Sequence, residues 1–412
     1  MNFDKSNELL DKAEKIIPLA TQTFSKASNY FPVGSSPLFL ERGQGSHVWD
    51  IDGNEYVDFV CGLGPITLGY HYPVTDLAIK RQLKKGITFS QPSPLEYELA
   101  KQLTEIIPCA EMVRFLKTGS EACQAAIRIA RAYSGKMGYS ARFNIAYRGY
   151  HGWHDWYSVT TERSKGIPLS LGEYMQEFNY NKIQSLQNVF DKQNVAAVIM
   201  EPMIVEPPND GFLQEVRTLC DKYKSLLIFD ETVTGFRWDI GGAQRYFGVT
   251  PDIATFGKGM ANGMPMAAVV GKKDIMREFE DVFVSSTFGG ECLSLAASIA
   301  TIKEMIKKET ISHCWDMGSL LMMGLKELGM KVDGFPCRPI LLMPNDQVWK
   351  SKLLEQLFLR GIMIHVGGFI NICYSHSLED INKTLNAFED VLKIIDKVEL
   401  QGKVAQPSFK RL

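Results

Sequence analysis

The stretch "TFGKGMANG", residues 255 to 263, places Lys258 between two glycines, directly after a short apolar run. Lysine is rarely buried without a partner. Where apolar neighbours shield it, the ammonium form is disfavoured, and the neutral amine becomes available as a nucleophile or a base. Gly257 and Gly259 would allow a planar ligand to lie close to the backbone. A lysine whose ammonium extends into solvent is the alternative explanation.

A second candidate is Asp230, which closes the apolar run of "LLIFDETVTGFR". A carboxylate in such a place is costly unless a cation meets it. Because a neighbouring negative charge favours the cationic form of a ring nitrogen, Asp230 could keep a heterocycle protonated. An aspartate that caps the following loop would produce the same local pattern.

A third candidate is the turn Thr118, Gly119 and Ser120, which opens the helical segment "TGSEACQAAIRIARAYSG". A turn of small residues before a helix presents N–H groups and the positive end of the helix dipole, an arrangement that suits phosphate. An ordinary helix cap would explain the same residues. The sequence has no P-loop motif, and no G-x-G-x-x-G follows a strand, which argues against a nicotinamide dehydrogenase.

Taken together, the three candidates explain one another. A phosphate cup, a carboxylate for a pyridinium nitrogen and a lysine that forms an imine are the parts that hold pyridoxal 5′-phosphate. Tyr150, in "YRGYHGWHDW", adds an aromatic ring that could stack on the cofactor, although a tyrosine of the core is the alternative. The sequence therefore predicts a site for this cofactor.

The elements that must position these residues follow from the alternation of short apolar runs with helical patterns in the middle of the chain. Runs such as "FNIAY", "VAAVIMEP" and "LLIFDE" predict an α/β fold with a mainly parallel sheet covered by helices on both faces. Ligands of such sheets bind at the carboxyl ends of the strands. Residues 117–121, Glu201, Asp230 and Lys258 are expected at those ends.

The two ends of the chain have a different pattern. The "DGN" of residues 52–54 lies between alternating apolar and polar residues and predicts a hairpin, and Ser377 with Asp380 predicts a capping box for the last helix. We expect a large domain over residues 71–306 and a smaller α+β domain formed by residues 1–70 and 307–412. The N-terminal segment predicts an amphipathic helix with Leu9, Leu10, Ala13, Ile16 and Ile17 on one face.

Composition excludes several classes of protein. The 412 residues carry a net charge of −2, so neither nucleic acid nor an acidic membrane surface is an expected partner. No apolar run approaches the ~20 residues that span a bilayer, and the charged N-terminus does not read as a secretory signal. Eight cysteines without a C-x-x-C pair indicate buried thiols in a reducing cytoplasm. His151 and His154 lack further ligands at metal spacing, so no metal is expected.

Longer motifs in the chain resemble a known family. The segments "VRFLKTGSEACQAAIRIARA", "YHG", "LIFDETVTGFR", "GGAQRYFGVTPDIATFGKGMANGMP" and "STFGGECLSLA" are similar to those of class III aminotransferases and occur in the same order. The nearest branch resembles glutamate-1-semialdehyde 2,1-aminomutase, and the resemblance extends from about Ser36 to the C-terminal helix. It implies the fold-type I architecture of pyridoxal-phosphate enzymes, with a seven-stranded-type sheet in the large domain.

The resemblance implies a role for each candidate residue. Lys258 would be the Schiff-base lysine and proton carrier, and Asp230 would pair with the pyridine nitrogen. Thr232, where the family more often has valine, would lie against the ring opposite Tyr150. The remaining cofactor residues would be Thr118, Gly119 and Ser120 at the phosphate, His151 of "YHG", Glu206 near the cofactor, and Thr287, which would reach the phosphate of the partner in a homodimer.

The chain departs from the family where substrates are bound. Aminomutases have an arginine for the substrate carboxylate near the N-terminus, but the corresponding "VGSSPLFLERG" has none at that place. Glu206 stands where aminomutases usually have asparagine, and "VGGFIN" lacks their late glutamate. Arg163 and Lys165 lie in a segment that resembles the family's active-site loop. They could meet an anionic substrate, or they could form a solvated loop.

We therefore expect an aminotransferase that moves an amino group from a donor such as glutamate to an aldehyde or keto acceptor, for example a sugar or another small carbonyl metabolite. The alternative is an intramolecular aminomutase that makes 5-aminolevulinate, which the missing arginine disfavours. A third alternative is a protein that binds the cofactor without turnover, although the complete set of Lys258, Asp230 and Tyr150 makes this improbable.

Overall fold

The N-terminal part of the chain forms a helix followed by a small antiparallel strand group. The structure is a computed structural model, and it describes residues 1–136 and 142–407. The elements of the first 72 residues are α1 (Asp4–Ala13), β1 (Leu40–Gln44), β2 (His47–Asp50) and β3 (Glu55–Asp58).

Strands and helices alternate through residues 73–308, as the sequence pattern predicts. These elements are α2 (Pro73–Leu83), α3 (Pro94–Ile106), β4 (Met112–Leu116), α4 (Gly119–Lys136), β5 (Asn144–Arg148), α5 (Asp155–Ser158), β6 (Met175–Glu177), α6 (Ile183–Lys192), β7 (Val195–Met200), α7 (Phe212–Tyr223), β8 (Leu226–Asp230), α8 (Ala243–Phe247), β9 (Ile253–Phe256), β10 (Ala267–Gly271), α9 (Lys273–Met276) and α10 (Cys292–Lys307).

Three helices and three short strands follow in the C-terminal part of the described chain. They are α11 (Thr310–Glu327), β11 (Val332–Phe335), β12 (Arg338–Leu341), α12 (Gln347–Phe358), β13 (Ile362–Met363) and α13 (Leu378–Ile394).

The middle segment builds a seven-stranded sheet in the order β4-β10-β9-β8-β7-β5-β6, counted over the described residues. β5 pairs in parallel with β6 and β7, β7 with β8, and β8 with β9, whereas β10 runs antiparallel to both of its neighbours. All residues of β7, β9 and β10 are buried, as expected for strands covered on both faces. The predicted α/β fold with a mainly parallel sheet is confirmed.

The chain ends form their own sheet, in the order β1-β2-β3-β13. β2 and β3 are the predicted hairpin, with His47 opposite Val57, and β13 adds to β3 in parallel. The predicted capping box at the start of α13 is also present. The Asp380 N–H donates to Ser377 Oγ at 3.2 Å, and the Ser377 N–H donates to Asp380 Oδ2 at 2.9 Å.

The predicted amphipathic helix at the N-terminus is shorter than the sequence pattern suggests. α1 ends at Ala13, and Leu10 and Ala13 are buried. Leu9 is exposed, and Ile16, which lies beyond the helix, has 82% of its surface exposed. The predicted apolar face was therefore wrong for these two residues: the helix stops before Ile16, and Leu9 lies within the helix but outside its buried side.

The chain separates into two compact units, Met1–Tyr72 with Glu309–Leu412 and Pro73–Lys308. Compactness does not test independent folding, so the domains at residues 1–70, 71–306 and 307–412 remain a prediction. In the described part of the chain, no helix combines the length and apolar character needed to cross a membrane.

A network of charged groups joins β2, β3 and α13. His47 Nδ1 lies 2.6 Å from Glu55 Oε1, and His47 Nε2 lies 2.9 Å from Asp380 Oδ1. The hydrogen bond and charge of Asp380, helped by Glu55, raise the pKa of His47 above its ordinary 6.5. Burial alone raises the pKa of Asp380, but hydrogen bonds from His47, Ser377 and Ser46 hold it well below its ordinary 3.8.

This network predicts a pH-dependent contribution to stability. Because the pKa of His47 is raised on folding, its contribution is complete below about pH 6.5 and is lost as the pH rises through the folded pKa. The contribution of Asp380 to stability is lost only in strong acid, because its pKa is lowered on folding. We expect His47→Gln to lower the free energy of unfolding by about 1–2 kcal/mol near pH 5.5, and by less above pH 8.

Urea unfolding at several pH values measures this difference. Lys393→Gln is the matched control, because it removes an exposed ion pair with Glu389 from α13. Its effect should stay within about 0.5 kcal/mol at every pH. A His47→Gln effect that grows with pH would contradict the assignment.

Candidate active site

The carboxyl ends of the parallel strands bring the sequence candidates to one edge of the seven-stranded sheet. β4 ends one residue before Lys117, β7 ends one residue before Glu201, and β8 ends at Asp230 itself. β9 ends two residues before Lys258. The expectation that these polar residues follow strand ends is confirmed, and the order of the strands makes β8 and β9 neighbours.

Asp230 is held by four donors at this edge. Its Oδ1 accepts hydrogen bonds from the Thr232 N–H at 3.1 Å and from Thr255 Oγ1 at 3.0 Å. Its Oδ2 lies 2.9 Å from His151 Nδ1 and 3.2 Å from Cys123 Sγ. The carboxylate is 3% exposed, so these donors replace the water that it loses on folding.

The donors decide the charge of Asp230. Burial alone would raise the pKa of this carboxyl, but the hydrogen bond and charge of His151, followed by the contacts with Thr232 and Cys123, lower it to about 2. Asp230 therefore stays ionised at any neutral pH. A permanently charged carboxylate at a strand end can bind a cation and keep it protonated.

His151 orients the Asp230 carboxylate. Its Nδ1 faces Asp230 Oδ2, and its Nε2 lies 3.2 Å from the carbonyl oxygen of Arg148. Both oxygens only accept hydrogen bonds, so the ring satisfies both contacts when both nitrogens carry protons. Trp156 stacks beside this ring, with centroids 6.1 Å apart and an interplanar angle of 16°. The ring therefore links the Asp230 carboxylate to the backbone at Arg148.

Cys123 and Thr255 are site residues that the sequence analysis missed. Cys123 lies one turn into α4, and Thr255 is the residue of β9 directly opposite Asp230 of β8. Burial, and then the charge of Asp230, raise the pKa of the Cys123 thiol well above its usual range, so the thiol remains protonated and can donate. The pairing of β8 with β9 would have identified Thr255, but only after the sheet order was known.

Two glycines leave space around Thr232. A Cβ at Gly119 would lie 2.8 Å from Thr232 Cγ2, and a Cβ at Gly257 would lie 3.3 Å from the same methyl group. Thr232 Oγ1 is buried and has no hydrogen-bond partner among the residues that the structure describes. The side chain thus lines a narrow gap between two backbone segments, with a polar atom available there.

The N-terminus of α4 is capped from within the chain. Thr118 Oγ1 accepts from the Glu121 N–H at 3.2 Å, and Glu121 Oε2 accepts from the Thr118 N–H at 2.9 Å. Ser120 Oγ accepts from the Trp153 N–H at 3.2 Å. The helix cap therefore occupies the Thr118 hydroxyl, and the helix opens with the N–H groups of Gly119 and Ser120.

Lys258 and Tyr150 are both half-buried. Lys258 begins a 3₁₀ turn, Lys258–Ala261, directly after Gly257. The Tyr150 N–H donates to Glu201 Oε2 at 3.0 Å, and the tyrosine ring meets Tyr157 edge to face with centroids 5.7 Å apart. These contacts fix the backbone on which each side chain is mounted.

The other sequence candidates lie in loops. Glu206 is exposed in the loop after β7, and Thr287 is exposed in a turn before α10. Glu291 caps α10 and pairs with Lys117 at 3.1 Å, so it ties the segment of Thr287 to the end of β4. Two further loop residues with exposed side chains are Arg163 and Lys165.

Known proteins resemble this chain in sequence and in structure. The family profile described as "Aminotransferase class-III" matches residues 30–338. The chain is 38% identical to the 3-aminobutyryl-CoA aminotransferase of Cloacimonas acidaminovorans, over 97% of this chain and 99% of that protein. It is 36% identical to the glutamate-1-semialdehyde 2,1-aminomutase of Desulforamulus reducens, over 79% of this chain and 78% of that protein. The PLP internal aldimine form of the Sphingopyxis sp. MTA144 FumI protein is similar in structure, with a TM-score of 0.88, 25% identity and coverage of 96% and 98%.

Gly152 gives a test of how tightly this site is packed. Its φ is +94°, and a Cβ there would lie 2.1 Å from Ser120 Oγ and 2.7 Å from Ser120 Cα. Because the contact includes backbone, rotation of the serine cannot relieve it. We expect Gly152→Ala to cost about 3 kcal/mol or more and to weaken binding of pyridoxal 5′-phosphate at least about tenfold.

Gly166→Ala is the matched control for this substitution. Gly166 has a similar φ of +89°, but a Cβ there meets nothing within 4 Å. The control should cost only about 1 kcal/mol and leave cofactor affinity unchanged. Urea unfolding and titration with the cofactor measure both effects, and equal losses in the two variants would show that packing against Ser120 is unimportant.

Proposed function

The chain belongs to the class III aminotransferase family, and from this premise we propose that Lys258 is the residue through which it moves amino groups. The cofactor of this enzyme is pyridoxal 5′-phosphate. The observation that carries the proposal is the buried, ionised carboxylate of Asp230 at the end of β8, one strand away from the turn that begins with Lys258.

The residues at the sheet edge fit this cofactor. Asp230 is charged and oriented, as a carboxylate that faces a protonated ring nitrogen must be. Gly119 and Gly257 leave a gap beside Thr232, whose buried hydroxyl has no partner among the described residues and is available to a ligand. The first turn of α4, at Gly119 and Ser120, suits a phosphate.

Each side chain then has a defined task. The bound cofactor supplies an electron sink for the substrate carbon that bears the amino group. Asp230 would keep the ring nitrogen protonated, and Lys258 Nζ would take a proton from that carbon as a base and deliver it to C4′ of the cofactor as an acid. We assign Tyr150 and Thr232 to opposite faces of the ring, where they would fix its orientation.

The neighbouring residues support this arrangement. We propose that His151 holds Asp230 in place. We further propose that Glu206, in the exposed loop after β7, approaches the cofactor and helps to choose between amino donors. The Thr118 hydroxyl accepts the Glu121 N–H in the helix cap, which leaves its own O–H able to donate to the phosphate.

We propose a homodimer in which Thr287 reaches the phosphate in the partner subunit. Thr287 is exposed in its turn, and two aromatic side chains close to it in sequence are also exposed, Phe283 by 81% and Phe288 by 58%. Exposed aromatic side chains of this size are enriched at protein interfaces. All eight cysteines are buried and form no disulfide, which supports a reducing cytoplasm as the location.

The segments that correspond to the family's substrate-binding segments support an acceptor that has no free carboxylate where aminomutases bind one with an arginine. Arg42 is the cation of "VGSSPLFLERG", and its guanidinium carbon lies 3.8 Å from the Trp49 ring centroid. "HVGGFINICY" contains no lysine or arginine. The nearby Arg338 is buried, with its guanidinium carbon 4.4 Å from the Phe369 ring centroid. The aromatic contacts account for both guanidinium groups.

We therefore propose an acceptor of the 3-oxoacyl thioester class, with glutamate as the amino donor. The relative named 3-aminobutyryl-CoA aminotransferase supports this class, because a thioester replaces the carboxylate for which these segments lack a cation. Glutamate-1-semialdehyde 2,1-aminomutase activity is the second candidate, since relatives with that name cover most of the chain.

The role of Lys258 can be tested chemically. Borohydride reduction of the holoenzyme should attach the cofactor covalently to the peptide that contains Lys258. Lys258→Ala should fold normally, lose this label completely and turn over about 10²–10⁴-fold more slowly. Lys272→Ala is the control, because Lys272 also follows a strand but is half-exposed and pairs with Asp252. Label recovered on another lysine would disprove the assignment.

The substrate class can be tested with one set of assays. We expect transfer between 3-aminobutyryl thioester and 2-oxoglutarate with a kcat/KM at least about 10²-fold above that for free 3-aminobutyrate, the matched control that adds a carboxylate. Conversion of glutamate-1-semialdehyde to 5-aminolevulinate without an external donor would favour the aminomutase instead. A bound cofactor whose absorbance no amine alters would indicate a protein without turnover.

A further inference from the structure

Two distant segments of the chain meet inside the unit formed by Met1–Tyr72 and Glu309–Leu412. The Asn371 N–H donates to the carbonyl oxygen of Phe59 at 2.8 Å, and Asn371 Nδ2 donates to the carbonyl oxygen of Val60 at 3.0 Å. These bonds align the segment after β3 with the segment before α13. Cys61 and Cys373 follow in the two segments.

The meeting point concentrates three reactive side chains. The sulfur atoms of Cys61 and Cys373 and a ring nitrogen of His376 all lie within 4.8 Å of one another. All three residues have 0% of their surface exposed. Cys373 and His376 are three positions apart, whereas Cys61 comes from the other end of the chain, so the sequence pattern gave no sign of the cluster.

Cys61 lies among hydrogen-bond acceptors, which favour the thiol over the thiolate. Its Sγ lies 3.4 Å from the carbonyl oxygen of Asp58 and 3.3 Å from that of Asn371, and both oxygens can only accept. Its N–H donates to Asp58 Oδ2 at 3.1 Å, and Asp58 Oδ2 also accepts from the Tyr70 hydroxyl at 2.6 Å. The backbone at Cys61 is therefore fixed, with a φ of +49°.

Cys373 has a base beside it. His376 Nδ1 lies 3.2 Å from Cys373 Sγ and accepts the N–H of Cys373 at 3.0 Å. Phe59 stacks on the imidazole at 4.5 Å with an interplanar angle of 15°, which fixes the ring plane. Burial alone raises the pKa of the Cys373 thiol, but the hydrogen bond from Cys61 and the charge of His376 hold it well below its usual range.

We propose that Cys61 and Cys373 are a redox pair that hydrogen peroxide converts to a disulfide, with Cys373 as the attacking thiol and His376 as its base. The pair joins the two chain ends that build this unit. The proposal does not depend on the proposed transaminase reaction, since it concerns thiols that the mechanism does not use.

The reaction takes two steps. His376 Nδ1 accepts the proton of Cys373, and the thiolate sulfur attacks one peroxide oxygen, so that a sulfenic acid forms and the O–O bond breaks. The hydroxide that leaves takes the proton back from His376 and becomes the first water. The Cys61 sulfur then attacks the sulfenic sulfur, the S–S bond forms, and the leaving hydroxide takes the thiol proton as a second water. Two thiols lose two electrons, and peroxide is reduced to two waters.

Metal binding is the less favoured use of the same residues. A metal would require both sulfurs as thiolates. The two carbonyl oxygens that face Cys61 would repel a thiolate there. A disulfide sulfur carries no charge, so it suits the same surroundings.

The experiment treats the purified holoenzyme with hydrogen peroxide, quenches it, unfolds it in an alkylating reagent and maps cysteine peptides by mass spectrometry. We expect the peptides of Cys61 and Cys373 to be cross-linked, while Cys220 is alkylated as a thiol. Cys220 is the internal control, because it is equally buried, in α7, and burial raises the pKa of its thiol. Because the control lies in the same chain, this experiment needs no variant.

Two variants assign the roles. Cys61→Ser should abolish the cross-link and leave a sulfenic acid on Cys373 that dimedone traps. His376→Asn keeps an acceptor for the Cys373 N–H but removes the base, and it should slow oxidation about tenfold. Oxidation of Cys220 at the same rate, absence of the cross-link in the wild type, or stoichiometric zinc that protects both thiols would each overturn the proposal.

Discussion

The negative charge of Asp230 is the constraint around which the seven-stranded sheet places its polar residues. A buried carboxylate needs hydrogen-bond donors, and these come from four parts of the chain: β9 through Thr255, α4 through Cys123, the segment after β5 through His151, and the backbone after β8. No single one of these elements could keep the group ionised. The charge therefore depends on the sheet, and our proposal that Asp230 faces the ring nitrogen of the cofactor rests on it.

Close approach of backbone segments is the second feature of the sheet edge that carries Asp230. Parallel strands end together, so Gly257 after β9 and Gly119 after β4 both approach Thr232. Side chains at either glycine would close the gap that a flat ring needs. At Gly152 the backbone itself occupies the room beside Ser120, which explains why small residues surround the start of α4. At these glycines the missing Cβ matters, whereas Asp230 depends on contacts that are present.

The two segments that correspond to the family's substrate-binding segments differ from the family in their charged residues. Arg42 and Arg338 lie against aromatic rings, and neither "VGSSPLFLERG" nor "HVGGFINICY" offers another cation. The residues assigned to amino transfer lie in one unit, Pro73–Lys308, whereas these two segments belong to the other. The unit formed by the chain ends also contains the thiol and imidazole cluster, whose chemistry is independent of the cofactor.

Local patterns correctly placed Asp230 and Lys258 at strand ends and predicted the hairpin and the capping box, because each depends on residues that are close in sequence. They also predicted the parallel sheet, since alternating apolar runs and helices have few other solutions. They failed at Ile16, where a helix ended early, and they could not find Thr255, Cys123 or the meeting of Cys61 with Cys373 and His376. Those contacts join residues far apart in the chain, so they exist only after strand order and packing bring the segments together.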